Sequence, residues 1–200
     1  LLVKKGYHDW KETVGYRRAG SPFEGHPNIS KIKGWELSGG SLGQALGVAV
    51  GSAMAAKIRG KKHWIVTHNS DGELQEGQIW EAAMYASAKK VDNIIATVDV
   101  NGRQIDGETD DVIALGSLRA KFEAFGWKVF ECDGNNLDDL LKTMVECKAA
   151  TDKGVPVMNL MKTEMGMGVD YMMGSHKWHG IFPNEEQLED ALGQLEETLG

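Results

Sequence analysis

The sequence predicts an α/β protein: a doubly wound, mostly parallel sheet with helices on both faces. Three observations lead there. Short apolar runs of strand length alternate with segments of helical length along most of the chain, the pattern of strands joined by crossover helices. The 200 residues are 42% apolar and 26% charged, ordinary for a chain that can bury a real core. The 25 glycines are dispersed rather than gathered in one tract, so they serve backbone geometry. No unit of 20–50 residues repeats.

The opening, Leu1 to Lys33, is turn-rich and without periodicity, punctuated by Gly20-Ser21-Pro22 and Gly25-His26-Pro27. Ser41 to Arg59 is dominated by small residues and predicts a helix with Ser41 as N-cap and Gly60 as stop. Its glycines 43, 47 and 51, four residues apart, predict tight packing against other backbone. Trp64 to Thr67 is the first strand, Gly77 to Lys89 a helix, and the apolar run Asn93 to Asp99 a second strand. Leu115 to Phe125 reads as helix, Trp127 to Glu131 as strand, Leu137 to Ala150 as helix and Val155 to Met161 as strand. Asn184 to Leu199 is an acidic amphipathic helix capped by Asn184, with Leu188, Leu192, Leu195 and Leu199 on one face.

The remaining composition removes whole classes of function. A net charge of −7 with no basic tract argues against nucleic-acid binding. No apolar run approaches the roughly 20 residues that cross a bilayer. The two cysteines, Cys132 and Cys147, cannot build a disulfide framework or a four-cysteine zinc site, and read as buried free thiols of a cytoplasmic protein. The chain starts at Leu1 without a signal-like region, which reads as a fragment or a processed chain.

Ligands of parallel sheets lie at the carboxyl ends of the strands. The first strand runs into His68-Asn69-Ser70-Asp71-Gly72-Glu73, and the second into Asp99-Val100-Asn101-Gly102-Arg103. If these strands are neighbours, Asp71 and Asn101 emerge on one edge. A carboxylate, an amide oxygen and a nearby carbonyl make an oxygen-only set, suited to magnesium or calcium holding a diphosphate. Gly72 lets the backbone approach a ligand. The bland alternative is two ordinary Asp-Gly and Asn-Gly turns. Ser38 to Gln44 is a third glycine-rich segment, at a predicted helix N-terminus where free amides attract anions. It is neither a P-loop nor a dinucleotide fingerprint, which disfavours triphosphate hydrolysis and hydride transfer.

The run from Ser70 to Gly107, SDGELQEGQIWEAAMYASAKKVDNIIATVDVNGRQIDG, closely resembles the thiamine diphosphate signature of transketolases. Gly25-His26-Pro27, GGSLGQALGVAVG and SHKWHG at Ser175 to Gly180 resemble further segments of that family, in the same order. The resemblance covers essentially the whole chain. It implies the thiamine diphosphate-binding fold, with residues 1–200 as the diphosphate-binding domain of a split transketolase, the amino-terminal subunit. It implies Asp71, Asn101 and the carbonyl of Arg103 as metal ligands. Gly40, Ser41, Leu42, Asp71, Gly72, Glu73, Asn101 and His179 are implied as cofactor contacts. His26 and His179 are implied as catalytic, acting near the donor sugar, and Glu76 as an interface residue between paired sites. His8 and His63 read as surface residues, and His68, at a strand end beside the motif, as either a structural or a pocket residue.

The implied reaction is transfer of a two-carbon ketol unit from a ketose phosphate to an aldose phosphate. It requires a carboxy-terminal subunit with the pyrimidine-binding domain, in a dimer of heterodimers, because the glutamate that activates the cofactor has no counterpart here. About 60–90 residues preceding Leu1 in the family, including a glycine–histidine segment, are also expected to be missing. Ser70 stands where the family has the first glycine of Gly-Asp-Gly. Arg103 stands where it usually has an apolar residue, which is expected to bring a cation near the diphosphate. Two alternatives remain: a deoxyxylulose-phosphate synthase-like thiamine enzyme, and a degenerate domain that only associates.

Overall fold

The computed structural model describes residues 1–197 and divides into two units, Leu1–Leu42 and the chain from Gly43 on. In the first unit the sole regular element is the short helix α1 (Trp10–Thr13). Asp9 caps it and Glu12 reaches back to the Asp9 amide, a reciprocal arrangement that satisfies both orphan donors. His8 is not the surface residue expected. Its side chain is 9% exposed, bonds to Glu12 and to the Lys33 carbonyl, and meets the Phe23 ring edge-on.

The second unit runs α2 (Gln44–Ile58), β1 (Ile65–Ser70), a 3-10 turn (Gly72–Gln75), α3 (Gly77–Ala88) and β2 (Ile94–Val100). A small antiparallel ribbon follows, β3 (Arg103–Gln104) with β4 (Gly107–Glu108). Then come α4 (Thr109–Ile113), α5 (Leu118–Ala124), β5 (Lys128–Asp133), α6 (Leu137–Ala150), β6 (Val157–Lys162), a 3-10 turn (His176–His179) and α7 (Glu185–Glu197). The main sheet is fully parallel in the order β1-β2-β6-β5. The central strands are buried from Ile94 to Val98 and from Val157 to Leu160 and open only at their carboxyl ends, as a parallel sheet covered on both faces demands.

One face carries the larger core. Ile94, Ala96, Val98, Met158 and Leu160 pack there against α2, α3 and α5, with Phe122 and Trp127 edge to face. On the other face Ile95 and Val157 meet Cys147 and Met144 of α6. Both cysteines are free and buried, as read from the sequence. The second face is covered only in part: Val66 of β1 is 53% exposed and His68 beside it is open, while Leu137, Leu141 and Val145 of α6 also face outward.

Several local expectations change. Helix α2 begins at Gln44, not after a Ser41 cap: Gly43 takes the N-cap position in the left-handed region, at φ 82°. A side chain there would also run into Gln78 and Glu76, so glycine is required twice over. Gly47 and Gly51 pack against no backbone among the described residues; a methyl at either would meet nothing within 4 Å. Strand β1 continues to Ser70, three residues further than its apolar run, because pairing with β2 through Ser70–Asp99 carries its polar end. Helix α5 starts three residues later than Leu115, where Ser117 caps it. Helix α7 is present, but Leu199 of its predicted face lies outside the described residues.

Candidate active site

Strands β1 and β2 are direct neighbours in parallel, so their carboxyl ends deliver Asp71 and Asn101 to the same edge. Asp71 is 2% exposed. Its Oδ1 accepts from the Gly72 amide at 2.7 Å and its Oδ2 from the Gly102 amide at 2.6 Å. These bonds join the two predicted loops through one carboxylate. No Lys, Arg or His pairs with it among the described residues. Burial pushes the Asp71 carboxyl above its ordinary range; the two amides pull it back, and the nearby Asp99 charge pushes it up again.

Asn101 makes the tight turn of its loop. Its Oδ1 accepts from the Arg103 amide at 2.8 Å, and its side-chain nitrogen donates to Asp99. Gly102 sits at φ 74°, in the region glycine occupies without cost. A Cβ on Gly72 would stand 3.2 Å from Gln104 Cβ, so a side chain there would crowd the ribbon. Gln104 Oε1 beside it is buried and has no hydrogen-bond partner, an acceptor left open at the loop. Among the described residues no cluster of three or more acidic, histidine or cysteine side chains could hold a metal. The oxygens gathered here are of mixed kind: a buried unpaired carboxylate, an amide oxygen and main-chain carbonyls. That mixture fits a hard divalent cation which also holds a ligand oxygen.

Glu73 is 8% exposed and fully engaged with backbone. One carboxylate oxygen accepts from the Gly43 amide at 2.7 Å and the other from the Ser70 amide at 3.4 Å, while Ser70 Oγ accepts from the Glu73 amide at 3.3 Å. Ser70, the departure from the Gly-Asp-Gly pattern, thereby braces the 3-10 turn whose N-cap is Asp71. Glu76 is exposed at the N-cap of α3 and its side chain makes no cap bond.

His179 is exposed on the His176–His179 turn, which packs against the β3–β4 ribbon. Trp178 fixes that turn by donating from Nε1 to the Tyr171 carbonyl at 2.8 Å. The turn and the Asn101–Arg103 loop are thus brought together. In the first unit, His26 is exposed and its ring lies against Gly40: a Cβ there would be 3.1 Å from the ring's Cγ, and Gly40 has φ 116°. Gly39 donates to the Pro27 carbonyl, which ties the glycine-rich loop to Gly25-His26-Pro27. Ser41 and Leu42 are exposed in the same unit.

Beside Asn101 and Gly102 a cavity of about 980 Å³ opens over the carboxyl ends of β2, β6 and β5. This is where the connections after β2 and β5 leave toward opposite faces, the place where such sheets bind ligands. Thr163 and Glu164 border it. The sequence signalled neither residue, because they follow β6 about sixty positions after Asn101. Thr163 bonds to Asp99 through its hydroxyl, and Glu164 pairs with Arg103. The Arg103 cation is therefore taken up by carboxylates instead of standing free near a diphosphate.

A family model described as "Transketolase, thiamine diphosphate binding domain" matches residues 1–196. The chain belongs to the transketolase family. It is 38% identical over 198 residues to an apulose-4-phosphate transketolase subunit of Phocaeicola vulgatus, covering 99% of this chain and 69% of that one. It is 36% identical over 195 residues to the 6-deoxy-6-sulfo-D-fructose transketolase subunit SqwG of a Clostridium species, covering 98% of this chain and 70% of that one. The crystal structure of transketolase from Campylobacter jejuni superposes with a TM-score of 0.84 at 32% identity, over 92% of this chain and 29% of that one. The chain thus spans less than a third of that solved transketolase. The transketolase assignment carries the thiamine diphosphate-binding fold with it. Among the described residues no helix is long and apolar enough to cross a membrane.

Proposed function

We propose that this chain is the amino-terminal, diphosphate-binding subunit of a split transketolase. With a partner chain carrying the pyrimidine-binding domain, in a dimer of heterodimers, it transfers a two-carbon ketol unit from a ketose phosphate to an aldose phosphate. The observation that carries the reading is the buried Asp71 carboxylate. It has no cationic partner among the described residues and is aimed by two glycine amides at the edge where Asn101 emerges. Relatives named as single subunits of a transketolase support a separate partner chain. The open stripe of Gly47 and Gly51 and the exposed Glu76 support association through α2 and α3. The names of the relatives carry sugars with a phosphate or a sulfonate, so the proposed donor is a ketose with an anionic end. Two buried free thiols are in keeping with a cytoplasmic setting.

In this reading Asp71, Asn101 and the Arg103 carbonyl hold magnesium or calcium, and the metal offsets the charge of the diphosphate. Gly40, Ser41, Leu42 and Gly72 contact the cofactor through main-chain groups. When bound, thiamine diphosphate supplies the electron sink that allows a carbon–carbon bond beside a ketone to break and re-form. The chain's own part is placement and proton handling. His26 orients the donor sugar, and His179 donates and accepts protons at sugar hydroxyls, for which a near-neutral imidazole is suited.

Calorimetric titration of the two-subunit complex with thiamine diphosphate and magnesium tests the proposal. Binding that requires the metal, and that Asp71→Ala weakens by about 3 kcal/mol, or about 100-fold, is expected. Binding unchanged by Asp71→Ala would remove the metal assignment. No binding by folded wild type with its partner would favour a domain that only associates.

A further inference from the structure

Arg103 has a second connection that the proposed metal set does not use. Its side chain is 13% exposed, while its carboxylate partners Glu108 and Glu164 stay open to solvent at 46% and 35%. Nε meets Glu108 Oε1 at 3.1 Å, which closes the ribbon on itself, since Arg103 and Glu108 are register partners. Nη1 meets Glu164 Oε1 at 2.5 Å, which reaches the segment after β6. That same oxygen accepts from the Gly174 amide at 2.9 Å. The Glu164 amide donates to Asn135 Oδ1 at 2.6 Å, in the loop after β5. One guanidinium therefore ties the loop after β2 to the segment after β6, which the Glu164 amide joins in turn to the loop after β5. Gly174 lies one residue before Ser175, from which the turn bearing His179 springs, and that turn packs back on the ribbon.

We propose that Arg103 is a positioning residue: its guanidinium locks the loop of Asn101 and its own carbonyl to the segment that carries His179, so that both move as one piece. The inference rests on the transketolase reading for the roles of the two ends, but the coupling itself is a property of this chain. The planar fork explains the choice of arginine. Two donors at fixed separation meet two carboxylates on different segments, which a lysine ammonium cannot reproduce with the same geometry.

Hydrogen exchange on the folded chain reads the coupling without any cofactor. Arg103→Met is expected to speed exchange at 101–108 and at 174–180 together, and Glu164→Gln, which removes the charge but keeps an acceptor, to do the same to a smaller degree. Exchange confined to 101–108 in both variants would overturn the proposal. Should Arg103→Met fail to fold, Glu164→Gln carries the test alone. The second arm measures Mn²⁺ affinity by electron paramagnetic resonance in the two-subunit complex with thiamine diphosphate. A loss of about tenfold in Arg103→Met is expected, with partial recovery in Arg103→Lys. Unchanged Mn²⁺ affinity would overturn the link to the metal loop. If wild type binds neither Mn²⁺ nor cofactor, the functional reading fails, while the exchange arm still decides the coupling.

Discussion

Asp71 and Asp92 stand at opposite ends of neighbouring strands and meet opposite surroundings. Asp92 precedes β2 at the amino end of the sheet. Lys57 Nζ lies 2.5 Å from its Oδ1, and the Gly154 amide donates to its Oδ2 at 2.8 Å. Burial pushes the Asp92 carboxyl up, but the Lys57 hydrogen bond, the Gly154 amide and the Lys57 charge outweigh it, and the group settles below its ordinary range. Asp71 follows β1 at the carboxyl end. It receives only amides, faces the charge of Asp99, and settles above its ordinary range. One end of the sheet closes its charges and serves stability. The other leaves a buried carboxylate short of positive charge, in keeping with the cation site proposed above.

The largest effect that would break this contrast is on stability. Asp92→Ala removes the charge partner of Lys57, which keeps only the Lys90 carbonyl, and leaves the Gly154 amide without its acceptor; it is expected to cost about 3 kcal/mol in urea unfolding of the chain. Asp71→Ala strands the Gly72 and Gly102 amides but also removes a buried charge that has no cationic partner among the described residues, and is expected to cost less than Asp92→Ala. A larger loss in Asp71→Ala than in Asp92→Ala would reverse the assignment of the two ends. Next in size is Glu73→Ala. It strands the buried Gly43 amide and is expected to cost about 1–3 kcal/mol, with Glu73→Gln losing less because an acceptor remains. Equal losses in the two variants would point to packing rather than to the hydrogen bond.

Two pH effects sharpen the comparison further. Because Asp92 sits below its unfolded value of about 4, its contribution is complete above that pH and is lost as acid carries the folded protein down through the lowered value. Unfolding followed from pH 6 to pH 3 is expected to show this acid loss in wild type and a shallower one in Asp92→Asn. The smallest effect lies in the first unit and has the opposite sign. The Glu12 hydrogen bond, then the bond to the Lys33 carbonyl, raises His8. Its contribution is present below the ordinary histidine value of about 6.5 and is lost as pH rises through the raised value. Amide protection at residues 8–12, relative to the intrinsic exchange rate at each pH, is expected to fall across that range in wild type and not in His8→Gln.

Much of this architecture was legible along the chain, for physical reasons that can be named. Ile94 to Val98 and Val157 to Leu160 form apolar runs because a parallel strand is covered on both sides, and such runs need no tertiary knowledge to be found. Asp71 and Asn101 were legible because loops after parallel strands collect at one edge. Shorter or more polar elements were not. The β3–β4 ribbon has two residues a side, too few for any periodicity, and β1 extends to Ser70 only because β2 supplies the pairing. The small-residue stripe on α2 was legible as a packing surface, yet its partner within the chain was not: Leu46, Ala49, Val50 and Ala53 are buried while Gly47 and Gly51 remain open.

Residue order alone sets what local energetics control. It sets the alternation of strand and helix, the Asn184 cap of α7, the glycines that turn the chain, and a spacing that sends Asp71 and Asn101 to one end of neighbouring strands. Contacts between residues distant in sequence settle how those groups are used. Glu73 spends its carboxylate on Gly43, thirty residues away, and Arg103 spends its charge on Glu164, sixty-one residues away. Asp71 is left with amides alone. A charge finds its partner by proximity in space and by shelter from water, and both exist only once the sheet has formed and carried these loops to a common edge.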